Sequence, residues 1–316
     1  MTTRNVIKSA LGVFWVCLAA TTSFSAYATN TVPLPGPNLF PEGIAADNNG
    51  GLYIGSLTKG RILYLEPDTH LPRKFNDDGS NGLMSVGGLM VSPDGSTLYV
   101  CNSDLGITNF SAAAKPGLVA FGIRDGGLVN RWNFPGGGLC NDMTMTADGT
   151  ILMTDSFNPR ILALKSGADE LIEWVTDERF NGEGFNLNGI TWNSEGVFVV
   201  KYNSNELFRI SQNSNGSAGK IEKVQLSRAL AGPDGIKALE DGNLLVVEGA
   251  GMLSIIKISN LDGHIQTVAN GLNVPTTVAV IGKMAYVVEG QLDHLPSPNK
   301  AVTAPDPFQL QSITLP

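Results

Sequence analysis

The chain repeats one pattern: a short apolar run, a polar turn and a second apolar run. Residues 187–210, LNGITWNSEGVFVVKYNSNELFRI, show it in full. Ile190-Thr191-Trp192 is apolar, Asn193-Ser194-Glu195-Gly196 is turn chemistry, and 197–200 is a β-branched and aromatic run. A third strand, 206–210, follows another polar turn. Further copies begin at Pro41, Gly87, Cys140, Pro233 and Pro275. Anchored on Glu42, Gly88, Asn141, Asn188, Asp234 and Thr276, they recur at steps of 46, 53, 47, 46 and 42 residues.

A period in the forties with several strands per unit is the signature of a propeller blade. Each unit has an apolar sheet face that it cannot bury alone, so stacking six in a ring makes the core. The turns DNNG, SPDG, TADG, NSEG and LEDG favour antiparallel meanders over parallel solenoids or sandwiches. The prediction is an all-β, six-bladed β-propeller with four-stranded antiparallel blades. Fourth strands are expected at 131–134, 171–175, 221–226 and 265–268. The Pro-rich stretch 295–307 reads as a loop, and 308–315 as the third strand of blade six. An N-terminal strand, 31–34, then closes the ring in that blade as its outermost member, where Pro33 is tolerated.

Residues 1–28 read as a secretory signal peptide. Arg4 and Lys8 precede an apolar run from about Ala10 to Ala20 that ends on Ala26-Tyr27-Ala28, and the run is too short to span a bilayer. Cys17 follows Phe-Trp-Val, which lacks the small residues of a lipoprotein cleavage site. The expectation is one propeller over 29–316, exported to the periplasm or secreted, with no membrane association.

Charge narrows the partners. Twenty-one Lys and Arg face 29 Asp and Glu, a net charge of −8, which becomes −10 when Arg4 and Lys8 leave with the leader. That disfavours nucleic acid and anionic membrane, and suits a cation or a neutral substrate. Cys101 ends the second strand of blade two and Cys140 precedes the first strand of blade three. They meet either as a disulfide or as two buried thiols.

In a propeller the start of each innermost strand and the end of each second strand converge on one mouth of the central channel. The first set holds Glu42, Asn141 with Asp142, Asn188 and Asp234. The second holds Asn102, Asp155, Lys201, Glu248 and Glu289. The first set is all oxygen donors, without His or Cys. Two carboxylates, Glu42 and Asp234, and two amides, Asn141 and Asn188, suit one hard divalent cation, calcium first, with Mg, Mn or Zn as the other candidates. The plainer alternative is that Pro-Asp-Gly and Asn-Gly only build turns. The second set is expected to line a substrate pocket. Lys201 would bind a carboxylate or an oxyanion there, or form a structural ion pair. Glu183 is either a pocket residue or an ordinary loop acid.

These residues carry a resemblance. Pro41-Glu42-Gly43, Asn141-Asp142, Leu187-Asn188-Gly189 and Pro233-Asp234-Gly235 fall in the order and blades of the senescence-marker-protein/gluconolactonase (regucalcin-like) family. CNDMTMTADGTILMTDS and GFNLNGI resemble its bacterial members. The resemblance implies a six-bladed lactonase with a divalent metal on Glu42, Asn188 and Asp234, Asn141 beside it, and Asp234 as general base. Its substrate would be a small lactone or ester. Two positions depart from the family pattern. Leu139 stands where a sugar-contacting Arg is common, and Gly43-Ile44-Ala45 lacks a frequent Trp.

Other classes fit less well. His70, His264 and His294 lie away from the anchors, and neither GxSxG nor a phosphate-binding Gly loop is present. Asn109 and Asn215 open glycosylation sequons, relevant only in a eukaryotic host. Two alternatives stay open: a non-catalytic binding propeller with a structural metal, and an alkaloid-synthase-like propeller using Glu248 or Glu289.

Overall fold

Each repeat unit folds into an antiparallel meander, because its β-branched runs are joined mostly by short polar turns. The computed structural model describes residues 29–108, 115–295, 305 and 307–316. The leader with Cys17 and the sequon at Asn109 lie outside the described residues.

Blade one is Pro41–Ala46, Leu52–Ser56, Ile62–Leu65 and Pro72–Lys74. Blade two is Ser85–Val91, Thr97–Ser103, Gly117–Gly122 and Leu128–Asn133. Blade three is Cys140–Met145, Ile151–Asp155, Arg160–Leu164 and Ile172–Thr176, and blade four is Leu187–Asn193, Gly196–Lys201, Glu206–Gln212 and Ala218–Lys223. Blade five is Pro233–Ala238, Leu244–Glu248, Met252–Ser259 and Asp262–Asn270. Blade six is Pro275–Ile281, Met284–Glu289 and Gln309–Thr314, completed by Thr29–Pro33 as the outermost strand. The six-bladed ring closed by an N-terminal strand is therefore as the repeats predict.

One detail differs. Blade five has five strands, because Gln225–Leu226 pairs in parallel with its outer strand. The chain crossing from blade four runs along that edge and covers open hydrogen-bonding groups.

The core lies between blades. Ile44, Leu52 and Leu63 of blade one pack with Val288, Phe308 and Leu310 at blade six. Val199 and Phe208 of blade four pack with Leu152 and Ile161 of blade three. The other four junctions are built the same way. Burying one such side chain is worth about 1.5–3 kcal/mol, and none is buried until its neighbouring blade is in place. A covalent tie joins two blades as well: Cys101 and Cys140 form a disulfide, with Cα atoms 5.1 Å apart.

Candidate functional site

The six inner strands share a flaw at one position. Each register shifts just after the strand begins: between Pro41 and Ile44, Val86 and Leu89, Cys140 and Met143, Leu187 and Ile190, Pro233 and Ile236, and Pro275 and Val278. A bulge breaks the pairing and re-aims a side chain. Glu42, Asn141, Asn188 and Asp234 sit in four of these bulges, and all four line one cavity. The Glu-Gly and Asn-Gly motifs are thus not turns. A Cβ at Gly43 would overlap the Gly87 carbonyl oxygen, and one at Gly189 the Asp234 carbonyl oxygen. Glycine is required there because neighbouring inner strands nearly touch.

Hydroxyls fix the bulges. Thr154 Oγ1 donates to the Asn188 carbonyl at 2.7 Å and Ser156 Oγ to the Leu187 carbonyl at 2.5 Å. Thr276 Oγ1 donates to the Glu42 carbonyl at 3.0 Å, across the joint where blade six meets blade one.

The floor is electrostatically uncomfortable. Glu42 has its pKa pushed well up by burial first, then by the charges of Asp234 and Asp142. Asp234 is pushed up by burial and by Asp142, against a hydrogen bond from Asn188. Asp142 is raised by burial, against Lys237, whose Nζ is 3.8 Å away. Two buried oxygens, Glu42 Oε2 and Asn141 Oδ1, have no hydrogen-bond partner. Among the described residues there is no cluster of three or more His, Cys, Asp or Glu side chains able to hold a metal. Any cation seat here relies on the two amides beside Glu42 and Asp234.

Above this floor the cavity has a volume of about 590 Å³. Its walls are mostly apolar and come largely from loops, with Leu57, Leu105, Ile107, Phe157, Phe185 and Tyr202 beside the acids Asp104 and Asp293. Phe157 and Phe185 are half exposed, with ring centroids 5.7 Å apart. The Tyr202 hydroxyl is raised by burial and by Asp234. None of these wall residues belongs to the repeated strand pattern. Leu139, by contrast, lies just before an inner strand and also lines the wall.

The second set of predicted pocket residues is elsewhere. Asn102 accepts from the Met84 N–H at 2.7 Å, Asp155 from Leu139 at 2.9 Å, Glu248 from Ala231 at 2.8 Å and Glu289 from Asn273 at 2.9 Å. Each ties down the loop leading into its own inner strand. Lys201 does this with opposite polarity, donating to the Arg179 and Asn181 carbonyls at 3.0 and 2.7 Å. Glu248 is further held by Arg228 and Ser254, Asp155 by Arg160, and Glu289 by Gln309. None of the five lines the cavity. This corrects the expectation of a pocket role, and it removes the Glu248 or Glu289 catalyst of an alkaloid-synthase-like site. For four of the five, the register explains it. Asp155 pairs with Cys140, Lys201 with Leu187, Glu248 with Pro233 and Glu289 with Pro275, each the residue before an anchor. Paired residues share a sheet face, and one step along a strand changes face.

Glu183 also lies outside the cavity lining. His70 packs on Tyr286, with centroids 5.3 Å apart. His294 ends the short turn Leu292–His294, whose Leu292 and Asp293 line the cavity although His294 does not.

Neither a protein-family model nor a curated protein matches the chain. Solved structures do. Regucalcin from Agrobacterium tumefaciens, a calcium-binding protein, is 16% identical, with 92% of this chain and 96% of that one covered and a TM-score of 0.65. A gluconolactonase of Xanthomonas campestris, important in glucose secondary metabolic pathways, is 14% identical over 95% and 93%, TM-score 0.66. Virginiamycin B lyase from Staphylococcus aureus is 16% identical over 92% and 99%, TM-score 0.62. These likenesses show the propeller fold. Their printed activities differ, so chemistry has to be argued from the site itself.

Proposed function

We propose that the chain is an exported, divalent-cation-dependent hydrolase that opens a lactone or related ester at the channel mouth. One observation carries the reading. Unsatisfied buried oxygens of Glu42 and Asn141 lie with Asn188 and Asp234 on the floor of a cavity of substrate size. A buried polar group left unpaired costs about 1–3 kcal/mol, and more when charged. A ligand that takes up these oxygens offsets that cost.

Glu42, Asn141, Asn188 and Asp234 would hold the cation. Their oxygen-only chemistry favours calcium, with magnesium, manganese and zinc as the other candidates. When bound, the cation supplies Lewis-acid polarisation of the substrate carbonyl. Asp234 is the proposed base that takes a proton from the attacking water. The Asn188 amide orients the carboxylate by hydrogen bonding to it. The Tyr202 ring and the apolar walls keep bulk water off the floor, where charges then act more strongly.

The fold shared with a calcium-binding regucalcin and a gluconolactonase supports this reading. Export is supported by the leader and by a disulfide suited to an oxidising compartment. The test is a panel of lactones and esters, with and without chelator, on wild type and Asp234→Ala. Chelator should abolish turnover, calcium should restore it, and Asp234→Ala should lower it by at least about a hundredfold. Cation binding without turnover of any lactone or ester would replace this reading with that of a non-catalytic binding propeller.

A further inference from the structure

We infer that the substrate is a neutral lactone or ester carrying an extended apolar group, seated against Phe157 and Phe185; this rests on the hydrolase reading above. Three observations carry it. First, every charged side chain lining the cavity is acidic: Glu42, Asp104, Asp234 and Asp293. No Lys, Arg or His is present among the described lining residues to receive a carboxylate or phosphate, and the net charge of −8 repels anions at longer range.

Second, the buried polar groups are concentrated on the floor, while the walls are mostly Leu, Ile, Val and aromatic side chains, the wall acids Asp104 and Asp293 being exposed. A polyhydroxylated ring would bury hydroxyls against those walls without partners, a loss of about 1–3 kcal/mol for each. Leu139 sharpens the point: it lies two residues before Asn141 and puts an aliphatic group where a substrate ring on the floor would meet the wall.

Third, the aromatic pair is out of place unless something covers it. Phe157 and Phe185 are 50% and 44% exposed and form a tilted pair at the cavity wall. They come from loops of successive blades, after Asp155 and before Leu187. The volume of about 590 Å³ exceeds what a bare five- or six-membered lactone fills. The reactive carbonyl would lie on the polar floor and the apolar substituent would extend along the aromatic pair.

The experiment is a homologous series of γ-lactones from γ-butyrolactone to γ-dodecalactone, with glucono-δ-lactone beside it. It uses the full chain with calcium, as wild type and as the Phe157→Ser/Phe185→Ser double variant. In wild type, kcat/KM should rise by up to about fourfold per added methylene until the cavity is filled. The double variant should lower the preference for γ-dodecalactone over γ-butyrolactone on the order of tenfold. A flat series, a preference for glucono-δ-lactone, or an unchanged ratio in the variant would overturn the inference and leave the hydrolase reading standing. If no lactone is turned over, the hydrolase reading fails, and calorimetric titration with γ-dodecalactone decides the seat. Saturable binding weakened in the double variant supports it, and absence of binding overturns it.

Discussion

The charge of Asp234 raises the proton affinity of Glu42, which burial has already raised. Without a cation, the folded chain therefore holds protons on these acids at a pH where the unfolded chain has released them. The ordinary carboxylate value is about 4. Their contribution to stability is fully present below that value and is lost as pH rises through the raised folded values. A bound divalent cation removes the repulsion. Thermal melts at about pH 5 and about pH 8, with and without calcium, should show a calcium-induced rise in Tm that grows with pH. A rise of equal size at both values would mean that these carboxyls do not face the cation.

Gly189 separates two inner strands. A side chain there would strike the Asp234 carbonyl oxygen, which is backbone and cannot move aside cheaply. Gly189→Ala should lose roughly 1–3 kcal/mol in a denaturant melt and should also reduce turnover, since the displaced residue is the proposed base. Unchanged stability would show that the inner strands are looser than their packing indicates.

Glu248 and Lys201 belong to the scaffold. Glu248 is fully buried and bound to Arg228, Ser254 and the Ala231 N–H. Glu248→Gln should cost about 1–3 kcal/mol, below the scale of a fully buried ion pair because Arg228 is about a third exposed. Lys201→Met frees two loop carbonyls and should cost about 1–3 kcal/mol. In both variants the folded fraction should keep its kcat. A fall in kcat with an unchanged melt would return these residues to the substrate pocket.

The disulfide closes a loop between residues 39 positions apart. Cys101→Ala/Cys140→Ala should lower stability by roughly 4 kcal/mol on loop-closure grounds. Because Cys140 also lines the cavity, the loss should carry over to thermal inactivation of the site. Denaturant melts of the oxidised wild type and the double variant measure it.

The ring was legible because strand and turn chemistry recur at a nearly fixed step, and every copy repeats the same instruction. The floor was legible for the same reason: Glu42, Asn141, Asn188 and Asp234 occupy one repeat position, and the structure lines one cavity with all four. Their setting was not. The glycines beside Glu42 and Asn188 look like turn residues in sequence, yet they serve a close approach between strands distant in the chain. Asp155, Lys201, Glu248 and Glu289 lie at the expected end of the expected strands but tie down loops instead of lining the cavity, because each pairs with the residue before an anchor and not with the anchor itself. The walls were illegible, since Leu105, Phe157, Phe185 and Tyr202 come from loops that no periodicity constrains. The extra strand Gln225–Leu226 is too short to carry a pattern of its own.

The most direct measurement is a calorimetric titration of the purified chain with calcium, repeated on Glu42→Gln and Asp234→Asn, with circular dichroism confirming that each variant is folded. Wild type should take up one cation per chain, and each variant should bind more weakly by over about tenfold, a loss that even outer-shell substitutions reach in metal sites. If wild type binds no divalent cation, or if both variants bind it as wild type does, the oxygens on this floor are not a cation seat.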